Sequence, residues 1–188
     1  MDAETVLDMF RKSGALLEGH FRLTSGLHSD RYFQSALVLQ YPEFASALGE
    51  ALGERLTHLQ GTAVLSPALG GIVIGQEVGR ALGVRALFAE RQDGVLTLRR
   101  GFTLSPSDRV LIVEDVITTG GSTRETAKVA EAAGAHVIGA GAIVDRGGKA
   151  EVGLPLQSLV RLEVPAWPAE TCPLCAKGAP VTKPGSRG

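Results

Sequence analysis

Residues 110–123 read VLIVEDVITTGGST. An apolar strand ends on two adjacent carboxylates, Glu114 and Asp115, and leads through Val116 and Ile117 into a turn of hydroxyls and glycines. Nothing in a hydrophobic strand needs neighbouring acids at its tip, because taking a charge out of water is costly. They become useful as acceptors for the two hydroxyls of a ribose, directly or beside a hydrated cation. Thr118, Thr119, Gly120, Gly121 and Ser122 follow where a helix is predicted to begin. Free backbone N–H groups and the helix dipole favour a phosphate there. Ser122 and Glu125 also have the spacing of a capping box. An acidic strand end beside an ordinary capped helix accounts for some of these residues but not for the combination. The lysine of a Walker A loop is missing, as is the G-x-G-x-x-G spacing of dinucleotide folds.

Such a loop needs a scaffold that holds a strand tip against a helix start. TAVLS (62–66), VRALFAE (84–90), RVLIVE (109–114) and HVIGAGAIVD (136–145) are predicted strands, apolar on both faces. Helices are predicted from Pro42, after Gly71 to about Leu82, and over about 123–133. This alternation means an α/β fold, a parallel-sheet, Rossmann-like core flanked by helices. Ligands bind beyond the carboxyl ends of such strands, so loops 67–71, 114–123 and 145–148 are expected to converge. Before the core, a helix is predicted over about 3–13. Short strand-like runs then follow, broken at Ser25-Gly26 and Ser29-Asp30. The Pro- and Gly-rich end of the chain is expected to be partly loose.

At 188 residues the chain fits one domain, 1–188. Its parts are a base-side segment over about 1–40, a core over about 60–165 and a tail over about 166–188. A net charge of -1 excludes global attraction to nucleic acid or to a membrane surface. No apolar run approaches the ~18 residues that span a bilayer, and the acidic N-terminal stretch is unlike a signal peptide. Two cysteines cannot build a disulfide framework, which points to a reducing cytoplasm.

The 110–123 segment resembles the donor-binding signature of the type I phosphoribosyltransferase family. Nearly the whole chain is similar to the orotate branch of that family. The resemblance implies the type I phosphoribosyltransferase fold with a small N-terminal hood subdomain and a mobile loop. It also implies a homodimer, and Mg²⁺ held mainly by substrate oxygens near Glu114 and Asp115. The implied reaction transfers ribose 5-phosphate from 5-phospho-α-D-ribose 1-diphosphate to N1 of orotate, giving orotidine 5-phosphate and diphosphate on the way to UMP. Glu114 and Asp115 would hold the ribose hydroxyls, and Thr118 to Ser122 would cradle the 5-phosphate. SPALGGIVIG (66–75) is similar to the family's pyrophosphate loop, with Gly70 and Gly71 letting amides approach the leaving group. AERQDGVLTLRRGF (89–102) is similar to the mobile hood, with Arg91 as a catalytic cation against pyrophosphate, in the same or the neighbouring subunit. The bland alternative for that segment is a hairpin turning at Asp93-Gly94, and Arg99 and Arg100 stay open.

On the same resemblance Ser25, Gly26, Tyr32 and Phe33 border the pyrimidine, and Thr118 touches both base and phosphate. Tyr32 and Phe33 read equally well as core aromatics of a strand hairpin. Thr24 stands where a lysine is common in the branch. Arg146 follows AIVD and precedes Gly147-Gly148, at the functional edge of the sheet. Orotate differs from uracil by a carboxylate, which a guanidinium binds through two parallel hydrogen bonds. The competing readings are a phosphoribosyltransferase for another base and a non-catalytic sensor of the donor. C-P-L-C (172–175) could supply half of a zinc site, but no second C-x-x-C or H-x-x-x-H pair completes it. A site shared between subunits and a simple tail turn are both open for it. His20, His28, His58 and His136 are scattered and receive no role.

Overall fold

The computed structural model describes residues 1–23, 25–147 and 152–184. Thr24 and Gly148 lie outside the described residues. Helix α1 (Ala3–Lys12) opens the chain, started by Asp2, whose side chain accepts from the Thr5 amide, and buries Val6 and Phe10. Strands β1 (Leu16–Arg22) and β2 (His28–Phe33) then form an antiparallel pair of their own. Helices α2 (Ser35–Leu39) and α3 (Pro42–Leu56) follow, the second begun by a proline in its first turn.

The core alternates as its apolar runs demand: β3 (Ala63–Pro67), α4 (Gly71–Leu82), β4 (Arg85–Gln92), β5 (Val95–Leu98), β6 (Arg109–Ile117), α5 (Gly121–Ala132), β7 (His136–Asp145) and β8 (Leu156–Arg161). These strands make one sheet in the order β5-β4-β3-β6-β7-β8, parallel except for β5. Every residue of β3 is buried, as a strand covered on both faces must be. Leu48, Leu52 and Leu56 of α3 are fully buried in the main apolar cluster with Val64, Leu111, Val113 and Ile143 of the sheet.

Three features depart from the sequence reading. β6 continues past Glu114 to Ile117, so both acids lie within the strand instead of at its end. α2 is too short to show helical periodicity. β8 is an edge strand with polar Gln157 and Ser158 between its apolar residues, so it lacks a continuous apolar run. The tail up to residue 184 is fastened down along much of its length. Trp167 exchanges backbone hydrogen bonds with His28 at 2.8 and 2.9 Å, and Thr182 bonds Arg22 and His20 at 2.8 Å each. A single 3-10 turn (Ala169–Thr171) and the short helix α6 (Pro173–Ala176) lie between those two contacts.

Candidate active site

β3, β6 and β7 are adjacent and parallel, so the loops after them open on one edge of the sheet. Two contacts tie these loops together. A Cβ on Gly70 would sit 2.8 Å from Asp115 Oδ1, so only glycine lets the loop after β3 approach that carboxylate. The Arg146 amide donates to the Ile117 carbonyl at 2.9 Å.

The two acids have different surroundings. Glu114 is 4% exposed; Ser122 Oγ donates to one of its oxygens at 2.6 Å and Thr123 Oγ1 donates to the other. These bonds replace the expected capping box: Ser122 turns to Glu114, and Glu125 turns to Arg91. A buried carboxylate gains more from the hydroxyl than an amide with access to water would. Burial pushes the Glu114 carboxyl up to about 7, against the lowering effect of the two hydroxyls. Glu114 therefore braces the loop from beneath. Asp115 is partly buried and faces Gly70. Burial raises its carboxyl too. Ser35 lies near enough to oppose that shift, although its Oγ completes no hydrogen bond among the described residues. Gly120 precedes α5 with φ 73°, a left-handed conformation natural to glycine, and turns the chain from Val116-Ile117-Thr118-Thr119 into Gly121 and Ser122.

Arg146 is the other distinctive group. Its guanidinium is largely withdrawn from water, and burial lowers its pKa while Tyr32 and Asp30 oppose the shift. Nη2 is 3.4 Å from Ser29 Oγ, and the buried Nε has no hydrogen-bond partner among the described residues. Tyr32 lies within electrostatic reach of both Asp115 and Arg146, and so joins the two loops. Thr123, which closes the 110–123 motif, belongs to this neighbourhood, as do Ser29, Asp30 and Ser35, to which the sequence gave no part in the site.

The remaining sequence candidates fall elsewhere. Phe33 is 6% exposed and meets Phe10 edge-on at 5.5 Å in the apolar core, which favours its reading as a core aromatic of the hairpin. Ser25 and Gly26 form the exposed tip of the β1–β2 hairpin, where Gly26 donates to Leu23 at 2.9 Å. The 89–102 segment is the β4–β5 hairpin, turning at Asp93 and Gly94 with φ 52° and 84°. Arg91 there pairs with Glu125 of α5 at 2.5 Å, one turn beyond the glycine-rich loop, while Arg100 binds Glu90 at 2.9 and 3.0 Å. A cleft of about 670 Å³ under this hairpin is lined by Arg91, Leu96, Glu125 and Val129, and so lies beside the loop instead of within it.

No family model matches the chain. An orotate phosphoribosyltransferase of Pelotomaculum thermopropionicum is 51% identical over 188 residues, covering 100% of this chain and 99% of its own. Another, of Heliobacterium modesticaldum, is 52% identical over 190 residues and covers 100% of both chains. The chain belongs to the orotate phosphoribosyltransferase family. The crystal structure of the orotate phosphoribosyltransferase from Aeropyrum pernix superposes with a TM-score of 0.72 at 25% identity, over 84% of this chain and 94% of that one. The fold is accordingly that of the type I phosphoribosyltransferases, with a central, mostly parallel sheet.

For a member of the orotate phosphoribosyltransferase family, the buried Glu114 has a measurable consequence. Its folded pKa of about 7 exceeds the ordinary 4.5, so the folded state holds a proton that the unfolded chain gives up. Stability from this group is complete below pH 4.5 and is lost as pH rises through 7. At about 1.4 kcal/mol per unit, the loss amounts to about 3 kcal/mol. Glu114→Gln removes the dependence. Urea melts from pH 4.5 to 8 should show the wild type losing about this much relative to the variant. Parallel pH profiles would contradict it.

Proposed function

We propose that this chain transfers ribose 5-phosphate from 5-phospho-α-D-ribose 1-diphosphate to N1 of orotate, releasing diphosphate. The observation that carries this reading is Arg146: a water-poor guanidinium with an unpartnered buried Nε among the described residues, fixed by its own amide to the end of the donor strand. A planar carboxylate satisfies that group in two parallel bonds, and uracil or adenine has none to offer.

The residues have distinct work in this reaction. The glycine-rich turn at 118–122 offers amides at the start of α5 to the 5-phosphate. Asp115 accepts from a ribose hydroxyl and faces positive charge that grows on the ring as the bond to diphosphate stretches. Glu114 holds the turn in shape through Ser122 and Thr123. The amides of Gly70 and Gly71 meet the leaving diphosphate. Arg91 adds positive charge to it by exchanging Glu125 for a phosphate oxygen, in its own or a neighbouring subunit.

Mg²⁺ suits this donor set. With both Glu114 oxygens engaged, Asp115 is the one acid of the pair facing the Gly70 loop, and Mg²⁺ binds with one or two carboxylates plus substrate phosphates and water. Bound there with diphosphate, it would neutralise the leaving group. We infer a cytoplasmic homodimer. Two free cysteines suit a reducing compartment, and Leu69 (76% exposed) and Val73 (42%) give apolar surface that a second subunit would cover. Among the described residues no helix is long and apolar enough to cross a membrane.

Absorbance-monitored base consumption, with donor and Mg²⁺ present, tests the assignment against orotate, uracil and adenine. Orotate alone should be consumed. Equal turnover of uracil would overturn the base assignment, and donor binding without any turnover would favour a sensor.

A further inference from the structure

Two histidines to which the sequence assigned no role come together with the C-P-L-C motif. His20 and His28 lie on the two strands of the N-terminal hairpin, and antiparallel pairing closes the eight-residue gap between them. Cys172 and Cys175 flank the start of α6, in the tail that packs on the same hairpin. His20 Nε2 is 2.8 Å from His28 Nδ1, 3.5 Å from Cys172 Sγ and 3.6 Å from Cys175 Sγ. Cys175 Sγ is 3.2 Å from His28 Nδ1, and the four ligand atoms lie within 4.8 Å of one another. We propose that His20, His28, Cys172 and Cys175 of a single chain bind one Zn²⁺ in a tetrahedral site.

The spacing suits the ion. Zn–N bonds of about 2.0 Å and Zn–S bonds of about 2.3 Å place tetrahedral ligands roughly 3.3–3.8 Å apart. Three of the four measured edges lie within about 0.1 Å of that window, and the His–His edge is shorter, at hydrogen-bond length. A second observation fixes the ligand state. His20 Nδ1 is 2.8 Å from the Ala179 carbonyl, an acceptor only, so Nδ1 carries the proton and Nε2 turns its lone pair to the cluster. A carbonyl behind a metal-binding histidine is the usual outer partner. His20, His28 and Cys172 are 6%, 6% and 2% exposed, which keeps water from competing. Two thiolates also neutralise the charge of the ion, so the site is uncharged when filled.

Four ligands with no open position make the site structural. It would clamp the tail to a two-stranded hairpin that is marginal by itself, and that hairpin carries Ser29 and Tyr32 toward Arg146. The site stands apart from the transfer reaction, so its test does not depend on turnover.

Full-length protein should carry one zinc per chain by elemental mass spectrometry. Replacement by Co²⁺ should give the visible bands of a tetrahedral site together with thiolate-to-metal charge transfer. Cys175→Ser, at an exposed position, should lower zinc affinity by more than the roughly 10–100-fold typical of losing an outer-shell partner. A chelator should lower the melting temperature of the wild type and leave that of Cys172→Ser/Cys175→Ser unchanged. Cobalt spectra without thiolate charge transfer, or zinc affinity equal in wild type and the double variant, would overturn the proposal. Half a zinc per chain would also overturn it, since that stoichiometry means a site shared between subunits.

Discussion

Arg146→Ala is expected to lower kcat/KM for orotate by about a thousandfold while the affinity for the donor changes little. Truncating one member of a buried charge pair typically costs 2–5 kcal/mol, and about 4 kcal/mol corresponds to a thousandfold. On the proposed assignment, much of that penalty would be the orotate carboxylate left without its charged partner. Arg146→Lys should recover only part of the loss, because an ammonium restores charge but not the planar fork. Steady-state kinetics in orotate, paired with direct titration of the donor, separate base recognition from loop damage. An alanine variant keeping a tenth of wild-type kcat/KM would sink the carboxylate assignment, and a parallel loss of donor affinity would mean a disturbed loop.

Asp115→Asn should move activity and stability in opposite directions. The substitution keeps the shape that packs against Gly70 but removes the charge proposed to face the ring cation, so kcat/KM for the donor should fall about a hundredfold, the scale seen when one transition-state partner is removed. Burial raises the Asp115 carboxyl above its ordinary value, so the folded chain bears a cost to ionise it at neutral pH. Asparagine removes that cost, and the melting temperature at pH 7.5 should rise. A variant both slower and less stable would show that Asp115 is held by structure instead of being poised for chemistry.

How far the sequence revealed this arrangement depended on what kind of signal each part leaves. β3, β6 and β7 are legible because strands buried on both faces must be continuously apolar, and the 110–123 segment is legible because two acids in such a strand followed by a glycine- and hydroxyl-rich turn are a rare combination. The Ser122–Glu125 spacing was equally visible yet misleading: a local rule cannot know that the buried Glu114 will claim the serine hydroxyl. Phe33 was ambiguous because an aromatic residue at a strand end serves a pocket or a core equally well, and only the facing Phe10 decides between them. The His and Cys cluster left only half a trace, the C-P-L-C motif, because its two histidines form no contiguous pattern with it. His20 and Cys172 are 152 positions apart, and the H-x-x-x-H pattern belongs to helices, whereas these histidines lie on a hairpin.

The bonding of the tail to the first hairpin also sets an order of assembly. During synthesis the β1–β2 segment emerges early, yet the Ala179 carbonyl that holds His20 lies 159 positions later. At about 5–20 residues per second the core between them has seconds in which to fold before those partners emerge. The hairpin that carries Tyr32 toward Arg146 is therefore finished last. A product truncated before the tail would carry a formed 114–123 loop beside an unsecured hairpin, so the seating of Tyr32 near Arg146 waits on synthesis of the tail.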